Sequence, residues 1–255
     1  EIGDVGMVTS ALWTDFDQDG LIDLLVVGEW MPVTFYRQVR KEGKVIFEDV
    51  TENFINEKTH GWWNSIYAMG TDEKGNPQYI LGNSGKNTRW DVDRDKPLIL
   101  IADDFDNNQS IDPIMFSYLI DGHYPVEGRD KLISQVPSWK NRFLKYSEFA
   151  KYRLEDFFSI EQRENAIELR AYQLESAIMK KDESGKFMLH PLPKESQFAP
   201  IYGIYYDQKE EMVFTIGNFY GNESITGRYD AAIGNVVAKD ENGDFTKREK
   251  ESGFL

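Results

Sequence analysis

Cysteine is absent from the chain, which excludes the small disulfide-stapled classes of domain but does not determine the cellular compartment. The sequence also lacks an apolar run long enough to cross a membrane, and no signal peptide is visible. Because the sequence begins at Glu1 without a methionine, we expect a missing upstream segment. These absences leave the fold to be inferred from the residues that are present.

Basic residues are too few to balance the acidic ones, since 29 lysines and arginines stand against 44 aspartates and glutamates, giving a net charge of −15. Nucleic acid and anionic membrane surfaces are therefore expected to be poor partners, whereas cations and neutral or basic ligands are favoured. Hydrophobic residues make up 40% of the 255 residues, enough for a sizeable core in one large all-β unit or two smaller ones.

Signals for catalysis are also scarce. The three histidines, His60, His123 and His190, lie far apart, and none has a metal-ligand spacing to another. The sequence contains neither a nucleophile elbow nor a glycine loop that cradles phosphate. Acidic residues are abundant enough for an acid–base pair acting on a sugar, but abundance does not place them together.

The most informative stretch is an acidic loop that leads directly into the apolar run 24–28. Carboxylates occupy its positions one, three, five and nine, and Gly20 stands at position six, where the chain must turn sharply. Oxygen ligands in this pattern are typical of a site for Ca2+, and four like charges so close repel strongly unless a cation neutralises them. The expected ligands are Asp15, Asp17, Asp19, the backbone carbonyl of Leu21, and Asp23.

Two other interpretations of this loop are a solvated acidic turn and an EF-hand. An EF-hand requires a bidentate glutamate at the twelfth position and helices on both sides. The twelfth position is Val26, which lies in a run that predicts a buried strand. The context is therefore strand–loop–strand, which is typical of repeat propellers.

A second loop, residues 104–112, repeats the first in part. Asn108 replaces a carboxylate with a neutral amide oxygen, and Gln109 stands where the turn glycine is expected. The lower charge and the strained turn predict a weaker calcium site than the first loop. Its expected ligands are Asp104, Asp106, Asn108, Ser110 and Asp112.

The two loops belong to a repeat of short strands, of which about four copies are recognisable. The first copy predicts one antiparallel propeller blade, with the metal loop between its first two strands. Copies two and four keep their strands but lose the loop, and residues 71–77 of copy two form a plain turn. We therefore predict one all-β domain over 1–255 that is part of a larger β-propeller. The strands of the first copy are expected at 7–13, 23–30, 32–37 and 45–50.

Between residues 129 and 165 the pattern changes from period two to a helical one, which predicts a small helical insertion. Its first helix ends before Pro137, and Ser138 and Ser147 are candidate N-caps. Residues 166–181 are compatible with a helix or with strands, and the alternation of apolar residues favours strands.

Several glycine- and aromatic-rich motifs, together with the first loop, carry a family resemblance. The motifs are Gly61-Trp62-Trp63-Asn64-Ser65, Gly82-Asn83-Ser84-Gly85, Gln197-Phe198-Ala199-Pro200, and Gly217-Asn218-Phe219-Tyr220-Gly221. With them, the chain resembles the FG-GAP or VCBS-type repeats of integrin-like β-propellers, in the form of the large proteins exported by Bacteroidota. The resemblance spans nearly the whole chain and implies structural calcium, binding or adhesion at the bacterial cell surface or in the periplasm, and often a lipid anchor upstream.

Two functions fit these features. The first is a non-enzymatic, calcium-rigidified propeller that binds a protein or glycan partner, and the alternative is a propeller-type polysaccharide lyase or hydrolase with structural calcium. The alternative requires a carboxylate, tyrosine or lysine with a strongly shifted pKa in a central cleft. Aromatic side chains can stack on sugar rings, although core packing competes with this role for each tryptophan. The candidate stacking residues are Trp62, Trp63, Trp90 and Tyr220.

Overall fold

The computed structural model describes residues 3–222, 227–240 and 243–247. The fold is mostly β and contains four antiparallel sheets. The chain divides into two compact units, one made of Glu1–Arg89 with Gln173–Leu255 and the other of Trp90–Tyr172. None of the described helices is long and apolar enough to cross a membrane.

The first sheet is an up-and-down meander whose strands follow one another in sequence order, as predicted for the first repeat. Its second strand is buried on both faces, because Leu25 and Val27 pack in one apolar cluster while Leu24 and Val26 pack in another. A short fifth strand pairs with the end of the second strand, and a one-turn helix, α1, follows the fourth. The elements are β1 Met7–Thr14, β2 Asp23–Met31, β3 Thr34–Lys41, β4 Lys44–Asp49, α1 Thr51–Phe54 and β5 Gly61–Trp62.

The second sheet is also a meander, but its two halves are far apart in sequence. Its strands are β6 Ser65–Thr71, β7 Pro77–Gly82, β12 Ala177–Lys181 and β13 Phe187–Pro191, in the order β6-β7-β12-β13. The whole second unit is inserted in the chain between β7 and β12. Strand β12 pairs with β7 through Ile178 opposite Ile80, so the strand prediction for this segment is confirmed.

The first unit also contains the fourth sheet, which is a meander like the first two sheets. It follows a 3-10 helix at Lys194–Gln197. Its strands are β14 Gly203–Asp207, β15 Met212–Ile216, β16 Asn235–Lys239 and β17 Phe245–Lys247.

The third sheet and most of the helices form the second unit. The sheet order is β10-β9-β8-β11, because β11 returns to the free side of β8 after a run of short helices. These helices occupy the range where the sequence predicts a helical insertion. The strands are β8 Leu98–Asp103, β9 Asp112–Leu119, β10 Gly122–Pro125 and β11 Ile167–Ala171, and the helices are α2 Arg129–Gln135, a 3-10 helix Pro137–Asn141, α3 Tyr146–Phe149, α4 Leu154–Phe157 and α5 Ile160–Asn165.

The predicted N-caps at Ser138 and Ser147 are wrong, because both residues lie inside helices that begin one residue earlier, at Pro137 and Tyr146. The serine that caps a helix is Ser159, whose hydroxyl accepts the backbone N–H of Gln162 at 3.1 Å. The Gln162 side chain in turn accepts the backbone N–H of Ser159, which completes a capping box.

Apolar side chains fill the space between the meanders of the first unit. One cluster joins the first and second sheets, with Phe35 at its centre, and another joins the second and fourth sheets around Val213. The rings of Phe16, Phe54 and Phe187 lie 5.1–5.8 Å from the Phe35 ring. The second unit has its own core of aromatic residues between its sheet and its helices.

We predict that Phe35→Ala lowers the free energy of unfolding of the first unit by about 3–5 kcal/mol, because it leaves a cavity among three rings. Urea unfolding followed by tryptophan fluorescence measures this change. Val45→Thr, at a position 52% exposed on β4 of the same sheet, is the matched control and should change stability by less than about 0.5 kcal/mol. Similar losses from both substitutions would contradict this description of the core.

Candidate functional site

The first acidic loop connects β1 to β2 and is wound around its own first carboxylate. Asp15 accepts the backbone N–H groups of Asp19 at 3.1 Å and Gly20 at 3.0 Å. Asp19 in turn accepts the backbone N–H of Leu21 at 2.8 Å. Two left-handed residues, Gln18 with φ 64° and Gly20 with φ 86°, make the turn. The backbone is thus curled around its acidic side chains.

This winding gathers three carboxylates. Asp15, Asp17 and Asp19 each place an oxygen within 4.8 Å of the others. Burial raises the pKa of Asp17, and the charges of Asp19 and Asp15 raise it further. A cation bound among these oxygens would offset the repulsion between the carboxylates, which adds to the effect of burial on this pKa.

Asp23, at the ninth position, links the loop to the first sheet. It is fully buried at the start of β2, where it accepts the backbone N–H of Phe16 at 3.3 Å and that of Gln38 at 2.8 Å. Burial raises its pKa to about 6, with a further contribution from the charge of Asp17. Asp23 therefore ties the loop to β3, but it is not one of the three carboxylates whose oxygens lie within 4.8 Å of one another.

The backbone of the second loop, between β8 and β9, winds as that of the first loop does. Asp104 accepts the backbone N–H groups of Asn108 at 2.9 Å and Gln109 at 2.8 Å. The backbone N–H of Ser110 donates to the Asn108 side-chain oxygen at 2.7 Å, as that of Leu21 does to Asp19. Asn107 and Gln109 are left-handed, with φ 59° and 69°. Gln109 therefore adopts the conformation that Gly20 adopts in the first loop.

The second loop also gathers three carboxylates, those of Asp104, Asp106 and Asp112. Asp112 is only 3% exposed, and among the described residues neither its Oδ2 nor the buried Oδ1 of Asp106 has a hydrogen-bond partner. Burial raises the pKa of Asp112, and the charges of Asp106 and Asp104 add to the shift. Buried carboxylate oxygens that lack donors fit a bound cation, which would satisfy them.

The first loop also joins two sheets of the first unit. The Gln18 side chain donates to the carbonyl of Gly75 at 2.6 Å, and the Lys181 ammonium donates to the carbonyl of Phe16 at 3.0 Å. Gly75 lies in the β6–β7 connection, which is closed by hydrogen bonds to Asp72 and is the plain turn expected from the sequence. A cation held in this loop would therefore act at the junction of the first and second sheets.

The structure separates the four candidate stacking residues. Trp63 is fully buried, and its Nε1 donates to the carbonyl of Thr59 at 2.8 Å, so its prediction as a stacking platform is wrong. Trp62 and Trp90 are half-buried. Tyr220 is 61% exposed, with the guanidinium of Arg228 5.9 Å from its ring centroid.

Sequence reasoning missed two aromatic residues close to Trp62. The ring of Trp30 lies edge to face with that of Trp62 at 5.4 Å, and its backbone has φ 60°, which is rare for a bulky residue. Tyr202, 47% exposed, lies near Glu29, whose charge adds to the effect of burial in raising the tyrosine pKa. The sequence contains a signal for this position, because Gly28-Glu29-Trp30 lies near the end of β2 as Gly82-Asn83 lies at the end of β7.

No model of a known protein family matches the chain, and no curated protein matches it either. The geometry of the loops and of the aromatic residues must therefore carry the functional argument.

We predict that Gln109→Gly stabilises the second unit by about 0.5–1 kcal/mol. A left-handed residue with a side chain costs about 1–2 kcal/mol, and the added chain entropy of glycine offsets part of this gain. The reciprocal substitution Gly20→Gln should destabilise the first unit by a similar amount. Urea unfolding in chelator measures both changes, and a loss of stability in Gln109→Gly would contradict the assigned turn geometry.

Proposed function

We propose that this chain is a non-enzymatic, calcium-stabilised β-propeller module that binds a protein or glycan partner outside the bacterial cytoplasm. The observation that carries the proposal is the pair of loops whose backbones wind in the same way and which each gather three carboxylates. In the second loop, buried oxygens of Asp106 and Asp112 lack hydrogen-bond partners among the described residues. Two separate strand connections that wind aspartates in the same way favour a shared ligand over two chance acidic turns.

Calcium is the cation that best fits these loops. The side chains offer only oxygen ligands, and Ca2+ accepts six to eight oxygens in flexible geometry, whereas Mg2+ demands near-ideal octahedral geometry. Extracellular modules bind Ca2+ with dissociation constants of about 0.1–1 mM, which suits the cell surface or the periplasm. The net charge of −15 also favours cation binding.

The arrangement of the first unit supports blades of a propeller, although the described residues form no closed propeller. Its three sheets are meanders, and the first strand of the second sheet, β6, contacts both β1 and β14. The outward faces of the first and fourth sheets carry exposed apolar residues, including Trp13 at 61% and Tyr205 at 57%. Such faces fit a larger propeller in which further blades would cover them.

We predict that saturating Ca2+ raises the melting temperature and that Asp17→Ala removes most of the rise, while Asp106→Ala removes a smaller part. The first loop has four aspartates against three and carries glycine at its sixth position, where the second loop must place Gln109 in a left-handed conformation, so the first loop should bind more tightly. A hundredfold excess over the dissociation constant stabilises the folded state by about 2.7 kcal/mol. Differential scanning calorimetry with and without chelator measures the effect.

Glu183→Ala, which removes an exposed carboxylate outside both loops, is the control and should keep the full response to Ca2+. Equal losses from the two loop variants would contradict the order of affinities. A melting temperature indifferent to chelator would show that both loops are only acidic turns.

We also predict that the chain does not degrade polysaccharides. Asp23 and Tyr79 have strongly raised pKa values, but burial is the main cause for both, and Tyr79 shares a hydrogen bond of 2.9 Å with Thr14 next to the first loop. Neither residue lines the grooves of about 400, 460 and 520 Å3. Turnover of acidic or neutral polysaccharides, abolished by changing one carboxylate outside the loops, would establish the alternative enzyme instead.

A further inference from the structure

The end of the first unit away from the first loop is organised around one buried asparagine. Asn83 is fully buried, and its side-chain oxygen accepts the backbone N–H groups of Trp62 at 3.2 Å and Ser84 at 2.8 Å. Its Nδ2 donates to the carbonyl of Gln173 at 3.4 Å, and its own carbonyl accepts the N–H of Ile201 at 3.0 Å. Asn83 thus holds three distant chain segments together.

Three buried side-chain donors, on residues whose backbones join this network, lack an acceptor among the described residues. They are Trp62 Nε1, Asn64 Nδ2 and Gln173 Nε2. Their backbones all belong to the Asn83 network, since the N–H of Asn64 donates to the carbonyl of Gly82 at 2.8 Å. Most buried polar groups in folded proteins are paired, so three unpaired donors in one network require an explanation.

Aromatic rings and one carboxylate border the same network. Tyr202, next in sequence to Ile201, exposes 47% of its surface, and the half-buried Trp62 packs against Trp30. Trp30 is held in a left-handed conformation, and such strain is found most often where a binding site requires it. The carboxylate of Glu29 lies on an exposed residue that pairs with Trp62 across β2 and β5.

We propose that Trp62, Asn64 and Gln173 form the donor side of a binding site for a neutral saccharide. Sugar hydroxyl groups would accept hydrogen bonds from the unpaired N–H groups once the three side chains turn outward, and would donate to the Glu29 carboxylate, while the Tyr202 ring would stack on an apolar sugar face. The donors carry no charge, and Glu29 disfavours anionic ligands, so neutral sugars fit better than acidic ones. This inference rests on the proposed binding function and selects the glycan over the protein partner.

The test uses the full chain, a panel of neutral and acidic oligosaccharides, and the substitutions Gln173→Met and Asn64→Leu. Each substitution keeps side-chain volume but removes an unpaired donor. We expect at least tenfold weaker binding of neutral oligosaccharides by calorimetry. The melting temperature without sugar should stay equal or rise, because replacing an unpaired buried donor with an apolar group costs no hydrogen bond. Gln208→Met, in the exposed turn between β14 and β15, is the matched control and should bind as the unchanged chain does.

Several outcomes would overturn the inference. They are a lack of binding by every neutral oligosaccharide, equal or tighter binding of acidic ones, and unchanged affinity in both variants. A fall in the melting temperature of both sugar-free variants would also overturn it, because the donors would then be satisfied inside the protein. The calcium response of the same samples separates the two ideas: if it persists while sugar binding fails, only the saccharide site is lost.

Discussion

Repulsion between aspartates is the constraint on which the first unit depends most directly. Asp15, Asp17 and Asp19 are gathered by hydrogen bonds from the backbone of their own loop, and Asp23 is buried beneath them. The same loop contacts the second sheet through Gln18 and receives the ammonium of Lys181. A cation that neutralised these carboxylates would therefore also stabilise the junction of the two sheets. Its binding free energy and the packing of the sheets would be coupled.

The second unit solves the same problem at a different place in its fold. Its loop connects two strands as the first loop does, but its sheet packs against helices through a core rich in aromatic rings. Phe105, the second residue of the loop, packs into that aromatic core, as Phe16 does in the core of the first unit. Each loop thus couples a candidate cation to an apolar core through a phenylalanine.

The two ends of the first unit differ in their chemical character. The acidic loop and the β6–β7 turn meet at one end, where the charges of the aspartates dominate. At the other end, Gly28 near the end of β2 and Gly82 at the end of β7 approach neighbouring backbone so closely that a side chain would not fit. That close approach brings tryptophan, tyrosine and unpaired amide groups together, which suits recognition of an uncharged partner.

Sequence alone determined the local features of this protein, because short-range chemistry decides them. The spacing of Asp15 to Asp23, the strand periodicity and the turn at Asp72 are read directly from neighbouring residues, and the structure contains the corresponding elements. Tertiary structure alone decided the rest. Strand β7 pairs with β12 across an inserted unit, Trp63 is buried while Trp62 keeps an unpaired N–H, and Trp30 is strained. These outcomes depend on which distant surfaces pack together. Because the hydrophobic effect is non-directional, the sequence does not show which distant apolar segments will become partners.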